Sequence, residues 1–209
     1  MPSYGFVSVA NSVVLRNAKP VFTEIDPKTL NISYDDIKRR ITRKTKAIYV
    51  IHYAGHSCEI EKIAKLAKKK RIYLIEDAAH SFLAKYKNKF LGTIGDIGVF
   101  SFHETKNLVG GQAGCLSINN SSLIERTNTI LDKGTDRKKF IRNFKKKIIS
   151  SQKKGFYSWV DIGSEYRASE LTSALLYSQI KKVKKIQKKR EIIWKKYINN
   201  LDKFKTDDF

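Results

Sequence analysis

The sequence is poor in cysteine, proline and acidic residues, and it contains no long apolar run. Its two cysteines, Cys58 and Cys115, are too few for a disulfide framework. No stretch approaches the ~20 consecutive apolar residues of a membrane helix, and the N-terminal segment lacks the charged start and cleavage site of a signal peptide. These absences argue against a disulfide-rich secreted domain and a membrane protein, and they predict a cytoplasmic location.

Acidic residues are strongly outnumbered, with 42 Lys and Arg against 20 Asp and Glu and a net charge of +22. Such an excess suggests nucleic acid or an anionic membrane as a partner. Most of it is lysine in helix-like or loop stretches, and no zinc-finger cysteines, aromatic RNA-binding motif or helix-turn-helix accompany it. The pattern therefore favours solvated lysines over specific nucleic-acid binding. The basic, irregular stretch 137–158 has no role that the sequence explains.

What the sequence does contain is an alternation of apolar runs with amphipathic segments, and 41% of its residues are hydrophobic. The runs that predict strands are KAIYVIHYAG, IYLIEDAAH, DIGVFSF and GCLSIN. Strands that are continuously apolar are typical of a parallel sheet covered on both faces. We therefore predict an α/β three-layer sandwich with a mostly parallel sheet.

Other elements follow from local signals. A helix is predicted after Ser33 as N-cap, another over EIEKIAKLAKKKR, and a third over SSLIERTNTILDKG with a serine cap and a closing Gly134. We also expect a short strand over KPVFTEI and a hairpin that turns at Lys87-Asn88. A long helical pattern runs from Ser169 to about Leu201. It divides the chain into a predicted large domain, 1–168, and a helix-led segment, 169–209.

Two polar residues stand where predicted strands end. Asp77 follows IYLI, with Glu76 before it, and Lys106 follows GVFSF. Because ligands of parallel sheets bind at the carboxyl ends of strands, these residues are either an ion pair or part of a catalytic site. Pyridoxal phosphate accounts for the set, since a lysine can form a Schiff base with its aldehyde while a carboxylate keeps its pyridine nitrogen protonated. A hydroxyl such as that of Ser101 can reach the phosphate.

At these residues the sequence resembles a known family. The segments PSYGFVSVANSVVLRNAKPVF, VIHYAG, IEDAAHSFLAKYKNKFLGTIGDIGVFSFHETKNLVGGQAG and DIGSEYRASEL are similar to the DegT/DnrJ/EryC1/StrS sugar-nucleotide aminotransferases. The greatest likeness is to the branch that aminates dTDP-4-keto-6-deoxyglucose for surface polysaccharide. The resemblance implies the large domain of the PLP-dependent aminotransferase fold, in incomplete form.

The resemblance also implies roles for single residues. Lys106 matches the lysine that binds the cofactor and moves the proton between cofactor and sugar carbon. Asp77 matches the acid at the pyridine nitrogen, and His80 matches a position near the phenolic oxygen of the cofactor. In the implied reaction, glutamate gives its amino group to the cofactor, which passes it to the keto carbon of the sugar.

Three further positions match cofactor contacts: Ser101 a phosphate contact, Phe6 the aromatic that stacks on the ring, and Ala79 the residue on the opposite face. The family site is completed by a second subunit, so the resemblance implies a homodimer or, for a truncated chain, a complementing fragment. No metal site is predicted, because His52, His56 and Cys58 lie in one loop without a set of carboxylates.

Several departures from the family pattern accompany these matches. Gly5 stands where threonine is usual, and Glu165 replaces an asparagine that reaches the partner's phosphate, so either that contact is lost or Glu165 points elsewhere. Family members begin before the PSYTF segment and continue past the long helix. This predicts a chain truncated at both ends, with an inactive remnant or a lysine-rich polyanion-binding module as the alternative to an enzyme. Glycines in GTIGDIG are expected to permit close backbone approach, and Glu76 is expected to be structural.

Overall fold

The computed structural model describes residues 1–141 and 156–204. Most of the basic stretch 137–158 therefore lies outside the described residues. The chain forms two compact units, the first comprising Met1–Ser101 with Gly114–Ala168 and the second Phe102–Ala113 with Ser169–Phe209. The division into domains 1–168 and 169–209 stays a prediction.

The secondary structure alternates between strands and helices. The strands are β1 (Ala47–Ile51), β2 (Tyr73–Asp77), β3 (Lys85–Tyr86), β4 (Lys89–Phe90), β5 (Ile97–Ser101) and β6 (Gly114–Ile118). The helices are α1 (Val7–Val14), α2 (Tyr34–Arg40), α3 (Ile60–Lys70), α4 (Ile124–Leu131), α5 (Glu170–Lys181) and α6 (Val183–Leu201).

The first unit is built on a four-stranded sheet with the order β1-β2-β5-β6. Strands β1, β2 and β5 are parallel, and β6 runs antiparallel to β5. This confirms the α/β class with a mostly parallel sheet. The predicted hairpin is also present as β3 and β4, where Lys87 adopts the left-handed φ of 53° that a tight turn requires.

The core of the first unit lies between the sheet and α3. The apolar positions of α3 recur at helical spacing, and Ile60, Ile63 and Leu66 are buried against a cluster that includes Val50 and Leu74. Each such side chain contributes about 1.5–3 kcal/mol when fully buried. Since a shift of one residue would turn Val50 or Leu74 to the other face of the sheet, packing on α3 favours the observed register.

Helix caps follow the sequence signals at two helices. The Ser33 side chain accepts a hydrogen bond from the Asp36 amide at 3.3 Å, as predicted for α2. Ser169 caps α5 in the same way, through the Thr172 amide.

Three expectations about elements are wrong. KPVFTEI forms only isolated bridges, from Thr23 to Pro2 and from Ile25 to Ile32; Pro2 has no N–H to extend a ladder. The turn before α4 is capped by Asn120, not by a serine, because the Asn120 side chain accepts from the Ser122 amide.

The third correction concerns the long C-terminal helix, which is two helices. Lys182 leaves the helical conformation, with φ −100° and ψ 5°, between α5 and α6. Its amide bonds to the Gln179 carbonyl at 3.0 Å, a 3₁₀-type contact. Neither glycine nor proline marks this break. Among the described residues, no helix is both long and apolar enough to cross a membrane.

Candidate active site

The carboxyl ends of three parallel strands lie at one edge of the sheet in the first unit. Ile51 of β1 pairs with Asp77 of β2, and Asp77 pairs with Val99 of β5. Ser101 ends β5 two residues beyond Val99. The structure thus brings Asp77 and Ser101 to the same edge, which we call the carboxyl edge.

The carboxylate of Asp77 is held by two donors. The Tyr49 hydroxyl donates to Oδ2 at 2.6 Å, and the Ala79 amide donates to Oδ1 at 2.9 Å. The backbone is fixed as well, because the Asp77 carbonyl accepts from the His52 amide at 3.2 Å. A partly buried carboxylate that is restrained at both oxygens has a defined orientation.

Tyr49 is a site residue that the sequence analysis missed. It lies in β1 two residues before Ile51, the register partner of Asp77, and diagonal neighbours on paired strands are within reach of a long side chain. Burial, then the negative charge and hydrogen bond of Asp77, raises the pKa of the Tyr49 hydroxyl. Tyr49 therefore remains a donor at all physiological pH values.

Small residues and a tight turn shape the chain after β1 and β2. Ala78 is buried, Ala79 is half-buried and His80 is exposed. Opposite them, Ala54 and Gly55 have positive φ values of 49° and 86°, and a Cβ on Gly55 would lie 3.2 Å from the His80 carbonyl oxygen. The two loops therefore approach each other closely at this edge, which favours glycine at position 55.

The N-terminal segment reaches the same edge. A Cβ on Gly5 would lie 2.7 Å from Cδ1 of Ile51, and Gly5 has φ 140°, so the threonine expected from the family would not fit here without movement. Next to it, the Tyr4 ring packs edge-to-face on Tyr53, with centroids 5.3 Å apart. Phe6, predicted to stack on a cofactor ring, is 77% exposed just before α1.

The phenol of Tyr4 is also distinctive. Its hydroxyl is buried without a hydrogen-bond partner in the described part of the chain. Burial, followed by the nearby Tyr53, Cys58 and Asp77, raises the pKa of Tyr4 to about 12. The neutral phenol thus carries a buried proton that no group in the described residues accepts.

Glu76 supports the edge from inside the core. Its oxygens accept from the amides of Gly92, Ile94 and Gly95 at 2.9, 2.7 and 2.5 Å, and it lies 2.9 Å from His52 Nε2. Burial alone would raise the pKa of Glu76, but the His52 and amide hydrogen bonds outweigh it and lower that pKa.

The tautomer of His52 follows from its contacts. Nδ1 accepts from the Cys58 amide at 3.4 Å, so Nε2 carries the proton and donates to Glu76. Both side chains are fully buried. Glu76 is therefore structural, as expected, and His52 fixes the loop rather than binding a ligand.

Lys106 belongs to the second unit, in the segment 102–113. Its amide donates to the His103 carbonyl at 2.9 Å, and its side chain is partly buried. The segment is closed by the Gly110 amide on the Phe102 carbonyl at 2.7 Å and tied to α6 by Arg190 on the Asn107 side chain at 2.6 Å. That Lys106 acts with Asp77 stays a prediction, as do the roles of His80, Ser101, Phe6 and Ala79.

Glu165 is paired with a cation of the first unit. Its carboxylate forms an ion pair with Lys133, whose hydrogen bond lowers the pKa of Glu165. Of the two readings of this departure, the structure supports the one in which Glu165 is directed elsewhere. Within residues 1–141 and 156–204, no group of three or more His, Cys, Asp or Glu side chains is arranged to hold a metal ion.

Comparison with known proteins gives this edge a context. The chain is 34% identical over 205 residues to GDP-perosamine synthase of Escherichia coli O157:H7, covering 96% of this chain and 52% of that protein. It is 33% identical to dTDP-4-dehydro-2,3,6-trideoxy-D-glucose 4-aminotransferase of Saccharopolyspora spinosa, covering 92% and 49%. Its fold matches that of Helicobacter pylori PseC, an aminotransferase involved in the biosynthesis of pseudoaminic acid, with a TM-score of 0.80, 29% identity and coverage of 94% and 49%.

The chain spans about half the length of the curated relatives it matches. The family model of the DegT/DnrJ/EryC1/StrS aminotransferases matches residues 1–208. The carboxyl edge thus carries the predicted acid of that family in a restrained position, and this chain belongs to the DegT/DnrJ/EryC1/StrS aminotransferase family.

Proposed function

We propose that this chain takes part in the pyridoxal phosphate-dependent transfer of an amino group from glutamate to a 4-keto-6-deoxy nucleotide sugar. Aminotransferases of this family depend on pyridoxal phosphate. The observation that carries the proposal is the Asp77 carboxylate, held by Tyr49 and Ala79 at the carboxyl edge of the parallel sheet.

The residues at this edge fit the cofactor. The restrained carboxylate of Asp77 would hold a proton on the pyridine nitrogen. Ala79, with no side chain beyond Cβ, would let a flat ring lie against the backbone, and the exposed Phe6 ring is available for stacking. The Ser101 hydroxyl would bind the phosphate, and His80 would lie near the phenolic oxygen.

Lys106 would hold the cofactor covalently and then move protons. When bound, pyridoxal phosphate supplies an electron sink for the carbon that gains or loses the amino group. The freed Lys106 amine would accept a proton at Nζ and return it in each half of the exchange. The Asp77 carboxylate would have the same role in both halves of the exchange, because the sheet fixes its position.

The choice of substrate is a finer part of the proposal. One relative is named for a GDP-linked sugar and another for a dTDP-linked 4-keto sugar, and a third is named a spore coat polysaccharide biosynthesis protein. We propose a dTDP-linked substrate in the synthesis of a surface polysaccharide, with the reaction in the cytoplasm. Glutamate is proposed as the donor on the family resemblance.

We also propose that the protein acts as a homodimer. None of the α1 residues is buried, although the helix is apolar, and Val7 and Val14 at its two ends are 67% and 56% exposed. An apolar helix that the first unit leaves uncovered suits a second subunit. Sedimentation velocity should give twice the 24.0 kDa mass of the chain; a monomer at all concentrations would refute the dimer.

The function is tested by supplying glutamate, pyridoxal phosphate and either dTDP- or GDP-4-keto-6-deoxy sugar, with product detection by mass spectrometry. We expect an amino sugar from the dTDP substrate, lost in Lys106→Ala and retained in the exposed α6 control Lys188→Ala. Amino sugar from the GDP substrate alone would correct the nucleotide. No product from either, with folded protein, would favour the alternative of a binding module.

A further inference from the structure

The amino edge of the same sheet carries a concentration of cations. Arg43, Lys44 and Lys46 precede β1, and 68–71 (Lys68, Lys69, Lys70, Arg71) lead from α3 into β2, all of them exposed. The Tyr73 amide donates to the Lys46 carbonyl at 3.1 Å, which joins the two groups at the start of the neighbouring strands. This edge lies at the opposite end of the strands from Asp77.

These cations differ from the other lysines of α3 in their pairing. Lys62 and Lys65 form ion pairs with Glu59 and Glu61. In the described ranges, the cationic side chains before β1 (Arg43, Lys44 and Lys46) and those of 68–71 make no ion pair or hydrogen bond. The helix dipole favours basic residues at the end of α3, but it gives no reason for those before β1.

The position of Arg43 and Lys44 is set by a closed turn. The Thr42 amide donates to Thr45 Oγ1 at 3.0 Å, and the Thr45 amide donates to the Thr42 carbonyl at 3.1 Å. The Lys44 amide also bonds Thr42 Oγ1 at 3.2 Å. The turn therefore holds these two cations beside the edge at a defined place in the chain.

A cleft of about 600 Å³ opens at this edge. We call the buried or half-buried apolar lining residues Ala64, Ala67 and Ile94 its floor, and the exposed lining residues Lys68 and Arg71 its rim. Tyr73 also lines it and exposes 48% of its surface. A cleft of this size with an apolar floor, an aromatic ring and two unpaired cations combines the groups that recognise a base and a phosphate.

Among the described residues that line the cleft, Asp96 is the one acid, and both of its carboxylate oxygens accept hydrogen bonds. Its Oδ2 accepts from the Leu74 amide and its Oδ1 from the Asn120 side chain, each at 2.8 Å. The Asn119 side chain donates to the Gly95 carbonyl at 2.8 Å. These groups build the wall of the cleft and leave the recognition of an anion to Lys68 and Arg71.

We propose that this amino-edge cleft binds a nucleoside phosphate, with the base against Tyr73 and the apolar floor and the phosphate between Lys68 and Arg71. The nucleotide is either free or one unit of a single-stranded RNA. In an RNA, the neighbouring phosphates would meet Lys46 and the cations of the closed turn. The proposal stands independently of the carboxyl edge, since it uses none of its residues.

The test measures binding of adenosine diphosphate, of tripolyphosphate and of a 12-nucleotide oligoadenylate to the purified chain. Lys68→Gln/Arg71→Gln removes the two rim cations, and Lys62→Gln/Lys65→Gln removes the same charge from α3 outside the cleft. We expect the first variant to weaken binding of adenosine diphosphate by about tenfold and the control by less than about twofold. Circular dichroism checks that both variants fold.

A second variant separates base recognition from charge. Tyr73→Ala should weaken binding of adenosine diphosphate by about fivefold or more and leave tripolyphosphate binding unchanged. Equal weakening by the cleft and control pairs, or binding of tripolyphosphate without adenosine diphosphate or oligoadenylate, would overturn the proposal. Binding of oligoadenylate alone, lost with the rim cations, would identify RNA as the source, and its salt dependence should then be steep.

Discussion

The two edges of the sheet in the first unit differ in how their charged side chains are bonded. At the carboxyl edge, Asp77 and Glu76 have every carboxylate oxygen held by a donor from the protein. At the amino edge, the cations of 43–46 and 68–71 reach into solvent without partners among the described residues. The carboxyl edge therefore holds its charged groups in fixed positions, and the amino edge leaves its charged groups accessible to a ligand from solvent.

Burial explains the difference. A charged group that leaves water must be compensated by hydrogen bonds, or it becomes neutral. Glu76 is fully buried and Asp77 partly so, which forces the surrounding loops to supply donors. Lysine and arginine side chains at the amino edge remain hydrated, so nothing in the fold has to fix them.

The largest effect should come from breaking the buried network with Glu76→Ala. This change leaves three amides and His52 without an acceptor, and we expect it to lower the free energy of unfolding by about 3–5 kcal/mol. Urea unfolding followed by circular dichroism measures this. The control is Glu61→Ala, which removes an exposed carboxylate with two lysine partners and should change stability far less. Equal losses would contradict a structural role for Glu76.

The next effect concerns the glycine that lets two segments touch. A Cβ on Gly98 would lie 1.9 Å from the Gly92 carbonyl oxygen, and the Gly92 amide bonds Glu76. We expect Gly98→Ala to destabilise the protein by about 2–3 kcal/mol, because the backbone must move. Gly114→Ala in β6, where the nearest atom lies at 3.2 Å, should cost less. A neutral Gly98→Ala would show that the approach is not tight.

Acid should weaken the same network. The pKa of Glu76 is lower in the folded chain than its ordinary value of 4.5, so its stabilisation is present above pH 4.5 and is lost as the pH falls through the folded pKa. Its share of the slope cannot exceed about 1.4 kcal/mol per pH unit. Urea midpoints between pH 7 and pH 3 should therefore fall more steeply in the wild type than in Glu76→Gln. Parallel curves would mean that Glu76 is not ionised in the folded protein.

The smallest effect is expected at the donor to Asp77. Tyr49→Phe removes the 2.6 Å hydrogen bond to Oδ2, worth about 1 kcal/mol. We expect the Kd for pyridoxal phosphate to rise about fivefold, measured by titration of cofactor absorbance. Tyr73→Phe makes the same change on an exposed ring of β2 and should leave the affinity unaltered. An unchanged Kd in both variants would remove Tyr49 from the site.

Local patterns predicted much of this fold. Continuous apolar runs identified β1, β2 and β5, and the glycines of GTIGDIG allow the close approach that was expected of them. The failures depend on tertiary partners. The KPVFTEI segment forms only single bridges, because its partners Pro2 and Ile32 lie outside any strand. The break at Lys182 has no local sequence signal.

The residues of the candidate site also differ in whether the sequence could predict them. The place of Asp77 at the carboxyl edge could be predicted because it ends an apolar run and lies in a family motif. Tyr49 could not be, because its contact with Asp77, 28 residues away in the chain, depends on the register of two strands. The cleft at the amino edge was also beyond prediction, since the sequence shows only that lysines are abundant.

The most direct test of the central claim is to identify the lysine that binds pyridoxal phosphate. The purified chain is mixed with the cofactor and reduced with borohydride, and the modified peptide is mapped by mass spectrometry. We predict a single label on Lys106 that is absent from Lys106→Ala, weakened in Asp77→Asn and unchanged in Lys188→Ala. Label scattered over exposed lysines, or full labelling in Asp77→Asn, would contradict the assignment of the carboxyl edge as the cofactor site.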